Sequence, residues 1–192
     1  MKTDDLTPLW HEGWYRHARH LPSPNHGQRP AGVAAELIVV HSISLPPGDY
    51  GGPQVQQLFT NSLDCSAHPY FEQLRGVQVS AHFYVRRQGE LWQFVSCDDR
   101  AWHAGASRYQ DRVDCNNWSI GIELEGLEDT PFDDPQYETL ASICSAIEQR
   151  YPVQHIAVHQ HIAPGRKADP GSGFDWQRLQ GELAWPPKYF PG

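Results

Sequence analysis

A mixed α/β fold, a central β-sheet flanked by helices, is what the sequence predicts, and three observations predict it. A near-continuous apolar run at residues 34–40 reads as a buried strand. Alternating apolar and polar side chains over 79–87, then Gln88-Gly89 and a short apolar run at 91–95, read as a hairpin, which brings antiparallel pairing into the sheet. Residues 135–150 carry apolar side chains at steps of three and four, the period of an amphipathic helix.

The elements follow in order. Residues 1–33 are polar and rich in aromatics, Pro and Gly, and Pro22, Pro24, Gly27 and Pro30 preclude a long helix, so they are expected to wrap a single domain (1–192) as an extended arm. The strand at 34–40 delivers His41 from its end. Pro46, Pro47, Gly48, Gly51, Gly52 and Pro53 mark the next stretch as a loop at the carboxyl end of a buried strand, where sites tend to lie. A short helix at 54–59 and a loop at 64–70 come next. Residues 118–125 alternate again, with Ile120, Ile122 and Leu124 on one side and Gly121, Glu123 and Glu125 on the other. In the long helix Pro135 takes the first helical position behind Asp134 as N-cap, and the buried stripe is Tyr137, Leu140, Ala141, Cys144 and Ile147. A strand at 156–158 leads into a loop at His159, and a helix over 174–183 closes the chain. The composition of loops 48–52 and 63–76 marks them as segments that could open or close a cleft.

Composition narrows the function. A chain of 192 residues buries about 70% of its extended surface on folding, enough to hold a cavity. The net charge of −8, without a block of Lys and Arg, argues against a nucleic-acid partner and fits a neutral or zwitterionic substrate. Cys65, Cys97, Cys115 and Cys144 show no C-x-x-C spacing and are expected to be free thiols. The N-terminus MKTDDLTPLWHEGW has acids where a signal peptide is basic, and no window is long and apolar enough for a membrane span, so a cytoplasmic monomer is expected.

The segment AVHQHIAPGRKADPG concentrates the chemistry: His159 and Asp169 bracket Lys167. Hydrolytic zinc sites use three protein ligands and leave one position open, which makes His41, at a strand end, the candidate third ligand. Such a site also needs a base for the water and a cation for the oxyanion, roles open to Glu123 and Lys167. Residue patterns leave alternatives standing. Glu125 shares a face with Glu123, and a half-exposed polar face would explain both. His155, His159 and His161 fall on one face of an extended segment, so His161 competes with His159. His82 and His103 read as histidines in polar or aromatic surroundings.

Five ordered segments, VVHSISLPPGDYGGP, SAHFYVRRQGELWQFV, RAWHAGASRYQ, CNNWSIGIELEG and HIAPGRKADPG, resemble the AmpD family of cytoplasmic N-acetylmuramoyl-L-alanine amidases, within the wider amidase-2 and peptidoglycan-recognition superfamily. The resemblance runs from about residue 14 to 183. It implies a zinc groove at one face of the sheet, with Zn²⁺ held by His41, His159 and Asp169. It implies that Glu123 assists the catalytic water and that Lys167 stabilises the tetrahedral intermediate. Tyr70 and Arg108 fall where the family is expected to line its muropeptide cleft. The implied reaction is hydrolysis of the amide between the lactyl group of N-acetylmuramic acid, preferably in the 1,6-anhydro form, and L-alanine, during peptidoglycan recycling. One departure is visible: Ser42 stands where such members often carry Asn after the first zinc histidine. A peptidoglycan-binding module without activity and an amidase acting on intact wall are the competing readings.

Overall fold

The computed structural model describes residues 8–191; the first seven residues of the expected arm, and Gly192, lie outside them. In chain order the elements are β1 (Trp10–His11), β2 (Trp14–Tyr15), β3 (Arg19–His20), β4 (His26–Gln28), β5 (Leu37–Ile43), α1 (Gln54–Phe59), β6 (Phe83–Val85), β7 (Leu91–Gln93), β8 (Asp99–Ala101), β9 (Arg108–Tyr109), β10 (Arg112–Val113), β11 (Ser119–Glu125), α2 (Asp134–Arg150), β12 (His155–Val158), α3 (His159–Ile162) and α4 (Trp176–Leu183). The main sheet of the described residues runs β12-β5-β11-β6-β7-β3. It is mixed, as predicted: β12, β5, β11 and β6 are parallel, and β6 meets β7 antiparallel as the expected hairpin.

The two faces of this sheet carry different things. Ile38, Val40, Ile120, Ile122 and Leu124 share one core with Leu140, Ile143, Cys144 and Ile147 of α2. Each such side chain contributes about 1.5–3 kcal/mol on burial, so α2 is held by its stripe. Leu37 and Val39 turn to the opposite face and pack with Ala104, Cys115, Trp118 and Ala157, beneath the loops that build the site. All seven residues of β11 are buried. A half-exposed strand is therefore not what Glu123 and Glu125 sit on: β11 is central, paired on both edges and covered on both faces.

Several boundaries move for local reasons. The strand at 34–40 starts later and continues two residues past His41 to Ile43. The alternation at 79–87 yields a regular strand only at Phe83–Val85, because Ala81 and Tyr84 enter one core while Phe83 and Val85 enter the other, which breaks the period. The helix α2 begins one residue early. Asp133 is its N-cap, its backbone N–H donating to Gln136 Oε1 at 3.0 Å, and Pro135 sits inside the first turn, where a missing N–H costs nothing. The closing helix forms at Trp176–Leu183, capped by Asp175, whose carboxylate accepts from Arg178 N–H at 3.0 Å.

Residues 8–33 do more than drape. The β1–β2 hairpin places Tyr15 in the main core, β3 extends the sheet beside β7, and β4 pairs with β8. Gln93 fastens the hairpin, accepting from Tyr15 N–H at 2.7 Å and donating to Gly13 O at 2.8 Å. The four cysteines are free, as expected. No described helix is long and apolar enough to cross a membrane.

Candidate active site

Sheet register assembles the site. In the parallel ladder Glu123 stands beside His41, and Val158 beside Val40, so the residue after Val158 comes level with His41. That residue is His159, at the carboxyl end of its strand, where ligands of parallel sheets bind. The chain does not continue extended there. It turns into α3, which separates His159 from His161: His159 is buried at the site, while His161 stacks on Trp176 with ring centroids 5.9 Å apart. The expectation of one common face for the three histidines fails because helical rotation replaces strand alternation at residue 159.

Beyond α3 the chain doubles back. Lys167 N–H donates to Ala163 O at 3.0 Å, and Gln160 N–H donates to Asp169 O at 3.1 Å, which returns Asp169 to the foot of α3. Asp169 Oδ2 then lies 3.0 Å from His159 Nδ1 and 3.3 Å from His41 Nδ1. Ligand atoms of His41, His159 and Asp169 all fall within 4.8 Å of one another, and the three residues could hold a metal ion. No fourth His, Cys, Asp or Glu of the described residues joins the cluster, which fits an open site rather than a closed structural one.

The electrostatics suit that use. Burial pushes His41 down to about 4, so its ring is neutral and available as a ligand near neutral pH. Asp169 sets Oδ2 against both rings as the third donor of the group. Glu123 shifts opposite to His41. Burial, reinforced by the Asp169 charge and opposed by Lys167, lifts it well above the usual carboxylate value. Its Oε2 is buried with no hydrogen-bond partner among the described residues. An unpaired buried carboxylate oxygen within reach of a second carboxylate's charge is costly unless water or an ion completes it, and a divalent cation with its water would do so.

A cleft of about 330 Å³ opens over this cluster. Glu123, His159, Lys167 and Asp169 line it, together with Tyr70 and Leu45. Ser42 lines it as well. Arg108 is not among its lining residues; it lies exposed on β9, its guanidinium turned to Asp111 O at 3.5 Å.

The sequence reading missed His103. It is buried, with Nδ1 at 2.8 Å from His41 Nε2, and a Cβ on Gly121 would stand 2.5 Å from its ring, so only glycine leaves it room. The signal available was the histidine inside RAWHAGASRYQ, which spacing alone did not connect to His41.

With the geometry in place, comparison gives concordant results. The amidase-2 family profile, described as N-acetylmuramoyl-L-alanine amidase, matches residues 31–172. The 1,6-anhydro-N-acetylmuramyl-L-alanine amidase AmpD of Enterobacter cloacae is 49% identical over 177 residues, covering 91% of this chain and 95% of the relative. A crystal structure of a selenomethionine AmpD derivative superposes with a TM-score of 0.89 at 48% identity, over 92% of this chain and 99% of that one. The Escherichia coli amidase AmiD, in complex with the substrate anhydro-N-acetylmuramic acid-L-Ala-D-gamma-Glu-L-Lys, superposes with a TM-score of 0.57 at 26% identity, over 81% of this chain and 60% of that one. The sheet, the buried cluster and the length of these matches agree, and the chain belongs to the amidase-2 family of N-acetylmuramoyl-L-alanine amidases.

Proposed function

We propose that this protein is a Zn²⁺-dependent amidase that cleaves the bond between the lactyl group of N-acetylmuramic acid and L-alanine in muropeptides, preferring the 1,6-anhydro sugar, in the cytoplasmic recycling of peptidoglycan. The observation that carries the reading is the convergence of His41, His159 and Asp169, with the unpartnered carboxylate of Glu123 lining the same cleft as His159 and Asp169. Relatives named as 1,6-anhydro amidases over nine-tenths of the chain support the substrate class. The chain is read as one domain that includes its N-terminal segment, supported by the pairing of β3 with β7 and β4 with β8.

In this mechanism His41, His159 and Asp169 would hold Zn²⁺, which when bound supplies Lewis acidity to the attacking water and the scissile carbonyl. Glu123 takes the proton as water attacks the carbonyl carbon. Burial raises its pKa well above that of an ordinary carboxylate, which makes it a better proton acceptor from water and lets it hold the proton until the amine leaves. The developing oxyanion faces Lys167, the cation lining the same cleft. Protonated Glu123 then delivers the proton to the alanine nitrogen, and the C–N bond breaks to leave a carboxylic acid and an amine. Tyr70 and Leu45, which line the same cleft, offer apolar surface to the substrate.

The test is mass spectrometry of anhydro-muropeptide incubated with the purified protein, with chelator and with Zn²⁺ restored. Release of free stem peptide that chelator abolishes and zinc restores is expected. Binding without release by zinc-loaded, folded protein would overturn the reading in favour of a recognition module, and faster turnover of polymeric wall would overturn the recycling assignment.

A further inference from the structure

The outer nitrogens of both candidate histidine ligands end on one short segment. His41 Nε2 lies 2.8 Å from His103 Nδ1, and His159 Nε2 lies 3.4 Å from the backbone oxygen of Ala104, the next residue. The segment is itself braced. Asn116 Oδ1 accepts from His103 N–H at 3.1 Å and from Ala104 N–H at 2.8 Å, and Arg166 Nη2 donates to Ala104 O at 2.8 Å.

Proton bookkeeping gives this arrangement a direction. The Cys115 carbonyl can only accept, so the Ser119 hydroxyl, 2.6 Å away, spends its hydrogen there. His103 Nε2, 3.1 Å from Ser119 Oγ, must then donate to it. A neutral imidazole carries one proton, so His103 Nδ1 is bare and accepts from His41 Nε2–H. That leaves His41 Nδ1 bare. The Ala104 carbonyl does the same for His159, whose Nε2–H donates to it and whose Nδ1 is left bare. Both bare Nδ1 atoms face Asp169 Oδ2, at 3.3 and 3.0 Å. Three lone pairs converging with no proton assigned among them make a cation socket.

We propose that the His103-Ala104 segment is a positioning element that fixes the tautomer and ring orientation of both histidine ligands, His103 through its side chain and Ala104 through its carbonyl, so that each presents Nδ1 to the metal. This rests on the reading of the site as a divalent-metal centre. Neither residue touches the reacting atoms. Outer partners of this kind typically change metal affinity by about 10–100-fold when removed. His103→Leu removes the acceptor for His41, whereas His103→Asn keeps an acceptor oxygen near the position of Nδ1.

Two measurements on the full chain test this. Long-range ¹H–¹⁵N correlation of the zinc-loaded wild type should show His41 and His159 coordinated through Nδ1 with protons on Nε2, and His103 neutral with its proton on Nε2. Chelator competition for Zn²⁺ should give a loss of about 10–100-fold for His103→Leu, a clearly smaller loss for His103→Asn, and an intermediate one for Ser119→Ala, each read without reference to turnover. Coordination of either ligand through Nε2, a proton on Nδ1 of His103, or unchanged zinc affinity in His103→Leu would overturn the proposal. If the leucine variant does not fold, the wild-type tautomers decide it alone. A folded wild type that binds no zinc overturns the metal-centre reading itself, an outcome distinct from zinc bound through the wrong nitrogen.

Discussion

Glu123 and Glu125 stand on the same strand and the same face, and both are buried, yet their surroundings are opposite. Glu125 is saturated: Oε1 accepts from Gly51 N–H at 2.6 Å, Oε2 accepts from Arg87 N–H at 3.0 Å, and Arg86 Nε lies 3.8 Å away. It ties the loop after β5 and the β6–β7 turn to the end of β11. Glu123 has a buried oxygen with no partner among the described residues and a raised pKa, and it faces the cleft. The difference teaches that a buried carboxylate serves structure when the protein completes its hydrogen bonds and is free for chemistry when the protein leaves them incomplete.

The largest expected effect comes from breaking the unsaturated side. Glu123→Gln should lower turnover of anhydro-muropeptide by about 10²–10⁴-fold, the usual worth of a general acid–base, without lowering the melting temperature. Equal activity in that variant would move the base role elsewhere. Lys167→Ala should cost about 10²–10³-fold, the range for removing one oxyanion-stabilising donor, and should act on kcat more than on KM.

The saturated side should respond in stability. Glu125→Ala removes the acceptor of the Gly51 and Arg87 backbone N–H groups, part-buried bonds worth about 0.5–1.5 kcal/mol each, read as a lower midpoint in urea. Turnover per folded molecule should change far less than in Glu123→Gln. A reversed pattern would mean that the two glutamates have exchanged roles.

Acid titration sharpens the contrast, because buried titratable groups contribute with different signs. Burial holds His82 down at about 3 and His41 at about 4, against 6.5. Below about pH 6.5 the unfolded chain therefore binds protons that these native rings refuse, and stability should fall with falling pH until about pH 3. Glu123 acts oppositely. Its pKa is raised above 4.5, so above that value the unfolded chain releases a proton that the native group retains, and its contribution to stability falls as pH rises. Metal-free Glu123→Gln should accordingly gain stability over wild type at pH 7, with the gain vanishing near pH 4, as measured by urea unfolding at both pH values.

The smallest effects concern the walls of the cleft. Tyr70→Ala should raise KM by a few-fold, on the order of 1 kcal/mol of lost contact, while Arg108→Ala should leave KM unchanged because its side chain is turned to Asp111 O. A KM effect from Arg108 alone would restore it to the substrate-binding set.

Much of the fold was legible because local patterns report burial. The stripe Tyr137, Leu140, Ala141, Cys144 and Ile147 is buried as its spacing requires, and the short helix at Gln54–Phe59 forms where Pro53 opens it. Alternation in β11 separated Glu123 from Ile122 correctly, since Ile122 faces α2 and Glu123 faces the cleft. Other features were out of reach of any local pattern. Periodicity reports which face a residue occupies and is silent on partners supplied from elsewhere in the chain, so it treated Glu123 and Glu125 alike. It treated His159 and His161 alike as well, because the strand turns into a helix at residue 159, where Gln160 N–H bonds the distant Asp169 O.

The sequence by itself determined the mixed sheet, the long amphipathic helix and, through five ordered motifs, the residues that form the cluster. Only the tertiary structure decided which carboxylate is left unpaired and which histidine braces a ligand. Those are properties of long-range contacts, Glu125 to Gly51 and His41 to His103, whose energies depend on the distance between atoms and not on the order of residues along the chain.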